Sequence, residues 1–254
     1  MGTWNIMTML KVGQMNEIAY EMLKTQLQIA LQELRWKGFG QIDKTKYTFY
    51  YSCNLEKTGW LGTGFVIRNE IKKNILSFEP YSERICKLQF NNLSIISAHA
   101  FTEAKTDEEK GNFYEDLQTI HNKTPKHDIA IFLGDINAKI GMEDVYQNVA
   151  RKHALHEITN RNGEWGCGYA IANNMKLIST YYQHKRIHKE TWISPGGNTL
   201  NQINGVIVDA NKKGVLQDVR TMRGLNCDSD HFLVKPIIKQ KLIGTQMKTI
   251  KQTK

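Results

Sequence analysis

Short apolar runs, separated by polar or glycine-containing segments, recur along the whole chain and predict a structure rich in β-strands. The most apolar run covers residues 129–133 and stops at Gly134. It is too short for a surface helix, and its residues do not alternate between apolar and polar as they do in a strand with one solvent-exposed face. We therefore expect a strand buried on both faces. Further strands are predicted at residues 3–6, 27–33, 47–51, 64–67, 85–90, 93–99, 202–208 and 231–238.

Two segments carry apolar residues at helical spacing instead. In residues 16–25 the apolar side chains are three or four positions apart, and Asn16 is the expected N-cap. In residues 106–121, Thr106 can cap a second helix that presents an apolar stripe. The chain therefore opens with a strand, a helix and a strand, which is the beginning of a layered α/β domain.

Other stretches are less regular. Residues 141–162 have a mixed pattern in which we expect some helix, and residues 173–182 are expected to lead into another strand. The cluster of Gly59, Gly62 and Gly64 looks superficially like a phosphate-binding loop. Because neither a helix nor a Lys-Ser/Thr pair follows it, a closely packed hairpin is the better prediction.

Two polar residues, Asp135 and Asn137, follow the most apolar strand directly. On an extended backbone, side chains at positions i and i+2 face the same side. A carboxylate and a carboxamide so placed can hold a divalent cation, and a water against a phosphate. The same residues are also ordinary turn formers, so an Asx turn explains them on local grounds.

At 254 residues the chain is long enough for a substantial core, and its 41% hydrophobic and 9% aromatic content is that of a globular protein. No internal repeat or low-complexity linker divides it. We expect one domain over residues 1–238 and a loosely ordered basic tail over residues 239–254. The formal net charge of +9 favours a polyanionic partner such as nucleic acid.

The 4 cysteines are far apart and form no CxxC pair, which indicates neither a disulfide framework nor a zinc site. A reducing compartment is therefore expected. No segment approaches the roughly 18 apolar residues of a membrane span, and the start of the sequence lacks the apolar core of a signal peptide. We expect an intracellular monomer, in the nucleus or cytoplasm, that is neither secreted nor bound to a membrane.

Short polar motifs end several of the predicted strands, and each alone is explained as a turn or a cap. They are Thr-Trp-Asn ending at Asn5, Leu-Gln-Glu ending at Glu33, Leu-Gly-Asp-Ile-Asn with Asp135 and Asn137, and Ser-Asp-His with Asp230 and His231. In this order they resemble the endonuclease/exonuclease/phosphatase superfamily, which includes DNase I, exonuclease III and the abasic-site endonucleases. The resemblance runs from residue 2 to about 237. It implies a four-layer α/β sandwich of two packed mixed β-sheets flanked by helices.

The similarity is closest to the endonuclease domains of non-LTR retrotransposons and to craniofacial development protein 2-like proteins. It rests on the sequences at residues 32–36, 83–86, 99–103, 188–192 and 223–231. It implies a DNA endonuclease of retrotransposon origin that uses Mg²⁺ or Mn²⁺ and binds DNA largely without sequence preference.

The resemblance also implies a metal site. Hydrolysis of a phosphodiester needs a cation that neutralises the charge on the phosphorane-like state. Glu33 and Asp230 are the hard oxygen ligands implied for this cation, with Asn5 beside them.

The remaining motif residues are implied to act on the water and the phosphate. Asp135 would activate the attacking water, and Asn137 would position that water or the phosphate. His231 would bind the scissile phosphate or assist as an acid. His99 stands where the abasic-site enzymes carry a tyrosine, and it would donate to a phosphate oxygen or to the leaving group.

The sequence departs from the family pattern at several positions, among them Gly205, where the pattern has an aromatic residue or His. Asn204 replaces the aspartate that normally orients the catalytic histidine, and an amide supplies a hydrogen bond there but no charge. Phe101 replaces a usual proline, and Met7 stands where the family has Asp or Arg. The expected function is therefore that of a weakened nuclease.

Two other functions stay open. The first is a non-catalytic nucleic-acid-binding or interaction protein that keeps the same fold and its basic surface. The second is a phosphatase of inositol lipids or sphingomyelin, which is disfavoured because the closer motifs are those of nucleases.

Overall fold

Two β-sheets packed face to face form the centre of the protein in this computed structural model, which describes residues 1–225 and 227–239. In chain order the strands are β1 (Gly2–Asn5), β2 (Ile29–Gln32), β3 (Phe39–Asp43), β4 (Tyr47–Ser52), β5 (Thr63–Arg68), β6 (Ile75–Pro80), β7 (Ile85–Phe90), β8 (Leu93–His99), β9 (Ile129–Asp135), β10 (Met175–Leu177), β11 (Trp192–Ile193), β12 (Leu200–Asn201), β13 (Asn204–Asp209), β14 (Leu216–Met222) and β15 (Leu233–Ile238). The α-helices are α1 (Gln14–Thr25), α2 (Asn69–Lys72), α3 (Asp107–Asn122) and α4 (Arg161–Ala172).

Both sheets are mixed. The first has 7 strands in the order β14-β15-β1-β2-β5-β4-β3, and the second has 6 in the order β10-β13-β9-β8-β7-β6. The pairs β1–β2 and β8–β9 are parallel, and the other neighbours are antiparallel. Strands β11 and β12 form a separate short hairpin. Because parallel neighbours end at the same edge of a sheet, the residues that end β1 and β2, and those that end β8 and β9, are brought together.

Three apolar layers hold these elements in place. The layer between the sheets includes Phe65 from the first sheet and Ile131 from the second. On the outer face of the first sheet lies helix α1, with Ile18 in the contact. Helices α3 and α4 cover the outer face of the second sheet, with Phe113 and Cys167 in the contact. The order helix, sheet, sheet, helix confirms the predicted four-layer sandwich.

The strand β9 is buried on both faces, as its sequence predicts. Ile131 and Leu133 face the first sheet, whereas Ala130 and Phe132 face the helices. Gly134 lies so close to strand β8 that a Cβ atom would overlap the backbone oxygen of Ala98. Only glycine therefore allows β9 to approach its parallel neighbour at this point.

Several local predictions are confirmed. Strands β7 and β8 have the predicted bounds. The hydroxyl of Thr106 accepts the backbone N–H of Glu109 and completes a capping box at the start of α3. The glycines of residues 59–64 belong to the antiparallel β4–β5 hairpin rather than to a phosphate-binding loop.

Other local predictions are wrong. Gly13, in a left-handed conformation with φ of 89°, is the N-cap of α1, and Asn16 lies inside the helix. Strands β3, β6 and β14 have no counterpart among the predicted strands. The apolar runs of these strands are too short or too interrupted to stand out in the sequence. The strands form because each pairs with a neighbouring strand that completes its backbone hydrogen bonds.

Residues 141–162 are helical in part, as predicted, because they contain a 3₁₀ turn at Asp144–Tyr146 and the start of α4 at Arg161. Most of α4, up to Ala172, lies beyond the predicted stretch. Three glycines within α4 lower its helix propensity. At one of them, Gly163, a Cβ atom would overlap the backbone oxygen of Lys139. Packing against the rest of the domain therefore overrides local propensity.

The predicted basic tail of residues 239–254 lies outside the described residues, apart from Lys239, whose N–H donates to the carbonyl of Val215. None of the helices in the two described stretches combines the length and the apolarity that crossing a bilayer demands.

We expect Gly134→Ala to destabilise the protein by about 3 kcal/mol or more, because the clash is with a backbone oxygen that cannot turn away. The matched control is Gly168→Ala in helix α4, where a Cβ atom meets nothing within 4 Å. That control is expected to stabilise the protein by roughly 0.5–1 kcal/mol through helix propensity. Urea unfolding measures both changes, and equal stability of the two variants would refute the close approach of β8 and β9.

Candidate active site

The ends of the parallel strands open into one cleft of about 470 Å³. Six of the predicted site residues line it: Glu33, His99, Asp135, Asn137, Asp230 and His231. The other two, Asn5 and Asn204, are buried directly behind these side chains. The structure therefore brings together all eight residues that the sequence analysis selects.

Asn5 connects carboxylates of the two sheets. Its side-chain amide nitrogen donates to Glu33 Oε1 at 3.0 Å and to Asp135 Oδ2 at 2.9 Å. Its amide oxygen accepts the backbone N–H of Met7. In this arrangement Asn5 fixes the carboxylates as a donor, and a role as an oxygen ligand would require its amide to turn.

Glu33 follows the last residue of β2 in a left-handed backbone conformation, with φ of 60°. Its second oxygen, Oε2, pairs with Arg35 Nη2 at 2.6 Å. Burial acts to raise the pKa of Glu33, but His99, Asn5 and Arg35 together outweigh burial and lower it. The side chain is therefore a stable carboxylate at neutral pH.

His99 ends strand β8 and is almost completely buried. Its Nε2 lies 3.9 Å from Glu33 Oε1, whereas its Nδ1 is buried without a partner among the described residues. Burial lowers the pKa of His99, and the nearby Asp135 and Glu33 oppose that shift only in part. A neutral imidazole is the expected form at pH 7.

Asp135 and Asn137 line the same cleft, but the backbone between them is not extended as predicted. Asn137 has φ of 48°, and its N–H donates to Asp135 Oδ1 at 3.1 Å. This is the local hydrogen bond of an Asx turn, so the turn and the shared site are both present. The amide of Asn137 donates to the carbonyl of Ala100, which holds its side chain against the end of β8.

His231 meets Asn204 at the position where the family has an aspartate. Its Nδ1 lies 3.0 Å from Asn204 Oδ1. Its Nε2 lies 3.6 Å from Asp135 Oδ2 and 3.7 Å from Asp230 Oδ1. The amide nitrogen of Asn204 is buried without a partner among the described residues. A neutral side chain therefore orients the ring.

Asp230 is held by the hairpin β11–β12. The indole Nε1 of Trp192 donates to Asp230 Oδ2 at 2.8 Å, and the N–H of Ile193 donates to the carbonyl of Asp230. The other carboxylate oxygen, Oδ1, is buried and has no hydrogen-bond partner among the described residues. One oxygen is therefore fixed while the other is available to a ligand.

Several residues of the cleft have no role in the motifs that the sequence presents. Arg35, Arg84, Lys105 and Trp192 all line it, together with the two departures Met7 and Phe101. Arg35 could have been found because it lies two residues after Glu33. Arg84 and Lys105 come from segments whose approach to the cleft depends on how strands β7 and β8 are placed.

The donor set fits a hard divalent cation. Within the part of the chain that the structure describes, no three or more His, Cys, Asp or Glu side chains form a ready-made ligand set. Mg²⁺ commonly takes only one or two carboxylates and keeps several waters. The buried, unpartnered Oδ1 of Asp230 and the carboxylate of Glu33 on the wall of the same cleft supply that minimum.

Comparison with solved structures identifies the fold. The endonuclease domain of TRAS1, a telomere-specific non-LTR retrotransposon, superposes with a TM-score of 0.62 at 13% identity, over 94% of this chain and 98% of that one. The abasic-site endonuclease of Leishmania major has a TM-score of 0.68 at 13% identity, over 94% and 87%. A 3′ phosphatase from Neisseria, bound to product DNA hairpin, has a TM-score of 0.64 at 17% identity, over 94% and 98%. The chain therefore shares the DNase I-like fold of these three proteins.

The curated relatives are two proteins named craniofacial development protein 2. The one from Bos taurus is 27% identical over 246 residues, which are 95% of this chain and 41% of the relative. The one from Tragulus javanicus is 28% identical over the same number of residues, which are 42% of that relative. The chain thus spans about two fifths of the length of the relatives it matches. No protein-family model matches the sequence.

Proposed function

We propose that this protein is a divalent-metal-dependent phosphodiester hydrolase that nicks DNA, that it descends from a retrotransposon endonuclease, and that Asn204 keeps its turnover low. The observation that carries the proposal is the meeting of Glu33, Asp135, Asp230 and His231 in one cleft. The similarity to craniofacial development protein 2 and the fold shared with nucleases support it.

Asp135 is the base in this proposal. Each of its oxygens accepts one hydrogen bond, from the amide of Asn5 and from the N–H of Asn137, so neutral donors orient the carboxylate. A carboxylate oxygen can accept a second proton donor, which leaves room for the attacking water. Asp135 would take a proton from this water as it attacks the phosphorus.

Glu33 and Asp230 are the proposed ligands of Mg²⁺ or Mn²⁺. A bound cation of this kind neutralises negative charge on the phosphate and so favours attack. The N–H groups that hold the two side chains, from Asn5 and Trp192, are neutral and leave the carboxylate charge intact. Arg35 would compete with the metal ion for Glu33, because it makes an ion pair with the same side chain.

His231 and His99 are the proposed proton donors or phosphate contacts. The Nε2 of His231 lies 3.6 Å from Asp135 Oδ2 and 3.7 Å from Asp230 Oδ1, so this edge of the ring points toward the proposed base and a proposed metal ligand. Asn204 supplies a hydrogen bond to Nδ1 but no charge. Asn204 therefore orients the ring without the negative charge that an aspartate would supply, and this missing charge is the proposed cause of the low turnover.

DNA is the proposed partner. The net charge of +9 favours a polyanion, and the cations Arg35, Arg84 and Lys105 line the cleft. The side chain of Trp60, which precedes the cleft residue Leu61, is 59% exposed, and such an aromatic surface suits a base or sugar. A fold neighbour from Neisseria is bound to a DNA hairpin.

Binding of Mg²⁺ or Mn²⁺ is expected to weaken by about tenfold or more in Glu33→Gln, since one charged oxygen ligand is lost. Isothermal titration calorimetry measures this directly. The control is Glu108→Gln, which neutralises an exposed glutamate in the first turn of α3 and should bind the metal like wild type. Equal affinity of Glu33→Gln and wild type would remove Glu33 from the metal site.

Affinity for duplex DNA is expected to fall by about tenfold or more between about 50 and 200 mM salt, because phosphate contacts release bound counterions. Duplexes of unrelated sequence should bind alike. Fluorescence anisotropy with labelled duplexes measures both properties. An affinity that does not change with salt, or a strong preference for one sequence, would contradict the proposed mode of binding.

The alternative is a protein that binds nucleic acid without cutting it. Two observations favour it: the neutral partner of His231 and the ion pair between Arg35 and Glu33, which occupies one oxygen of a proposed metal ligand. The two functions differ in whether restoring the missing carboxylate restores cleavage.

Asn204→Asp is expected to raise nicking of supercoiled plasmid in Mg²⁺ by about a hundredfold or more, below the roughly 10⁴-fold effect of the same exchange in serine proteases. Gly205 stays unchanged, because a Cβ atom there would lie 2.9 Å from Ile136 Cδ1. The measurement is the initial rate of conversion of supercoiled to open-circular DNA, with EDTA as the blank.

Two further variants serve as controls for this experiment. Asn198→Asp adds the same charge at an exposed position of the β11–β12 hairpin and should leave nicking at the wild-type level. Asp135→Asn combined with Asn204→Asp should abolish the gain, because the water loses its base. If wild type and Asn204→Asp both bind DNA and neither cuts it, the non-catalytic alternative is favoured.

A further inference from the structure

Arg84 is a mostly buried cation on the wall of the cleft. No carboxylate of the described residues forms an ion pair with it. Two acidic groups of other elements that act on it electrostatically, Glu33 and Glu109, pair instead with Arg35 and Lys105. Buried charges in proteins are normally paired, so a guanidinium in this position calls for an anionic partner.

One edge of the Arg84 guanidinium is used by the protein itself. Its Nη1 donates to the carbonyls of His99 at 3.0 Å and Ala100 at 3.4 Å. Its central carbon lies 3.7 Å from the ring centre of Phe101, so the planar group rests on that ring. No protein acceptor among the described residues takes up Nε or Nη2, and these donors belong to a side chain that lines the cleft.

The charge of this group is retained at neutral pH. Burial lowers the pKa of Arg84 to about 10, and Glu83, Glu109 and Glu33 act against that shift. The group is thus positive and held in a fixed orientation, and it lines the same cleft as Glu33 and His99. A fixed planar guanidinium with two free donors matches two oxygens of a phosphate.

We propose that Arg84 binds the non-bridging oxygens of the phosphodiester in the cleft, with Phe101 as the platform that holds its guanidinium in plane. This inference rests on the proposed function, because it assigns a further phosphate-binding residue to the same site. It also gives Phe101 a role at a position where the family usually has a proline: the aromatic ring supports a cation that a proline ring could not.

The first test is binding of a labelled DNA duplex in EDTA over a series of salt concentrations. Arg84→Met should weaken binding by about tenfold and reduce the slope of log affinity against log salt by about 0.9, the value for one phosphate contact. Lys44→Gln removes a charge from the exposed turn after β3 and is the matched control. Arg84→Met behaving like Lys44→Gln would overturn the proposal.

The second test uses Arg84→Lys in the Asn204→Asp background. Lysine keeps the positive charge, so the salt slope should not change, but it loses the planar pair of donors. We expect single-turnover nicking to fall at least tenfold while duplex affinity changes less than threefold. A merely structural role of Arg84 would move the melting temperature and leave this rate unchanged in the folded variant, and that result would refute the proposal.

The third test needs neither DNA cleavage nor a folded Arg84→Met variant. Arginine side chains labelled with ¹⁵N in the wild-type protein are titrated with inorganic phosphate, and the Arg84 signal is assigned by its loss in Arg84→Lys. The Arg84 Nε–H signal should shift with a saturable curve, and an unchanged signal overturns the proposal. Saturation by phosphate in a protein that binds no DNA would uphold the Arg84 site and refute the proposed nuclease function.

Discussion

The side-chain amide of Asn5 touches carboxylates from both β-sheets, and the geometry of the cleft depends on this contact. Glu33 belongs to the end of the first sheet and Asp135 to the end of the second, and two negative groups so close together would otherwise repel each other. One residue further in, Gln32 donates to the hydroxyl of Ser97 across the same interface. The site is therefore built on the packing of two sheets, and any shift between them changes the distance between its acidic groups.

Neutral donors hold most of the acidic groups of the cleft. Asp135 is fixed by an amide and a backbone N–H, and Asp230 by the indole of Trp192. Such donors orient a carboxylate without cancelling its charge, which keeps the negative potential available to a cation. Glu33 differs because Arg35 forms an ion pair with it, so its negative charge is partly compensated.

The sequence alone was sufficient to predict the elements whose residues follow a simple local pattern. Strand β9 was found because a strand covered on both faces must be apolar throughout, and α3 because its capping box is local. Most of helix α4 was missed because its glycines argue against a helix and only the packing of Gly163 explains them. Arg84 was missed for a related reason: its position against His99 and Phe101 follows from the pairing of β7 with β8, which no local motif encodes.

The register of β13 against β9 has a consequence for the side chains that position 204 tolerates. Residue 204 lies directly opposite Asp135, and like charges at opposite positions of antiparallel strands destabilise the pair. The amide of Asn204 avoids that repulsion, whereas a carboxylate there would place a second negative charge opposite Asp135. The strand pairing itself therefore favours a neutral residue at position 204, unless a bound cation compensates the added charge.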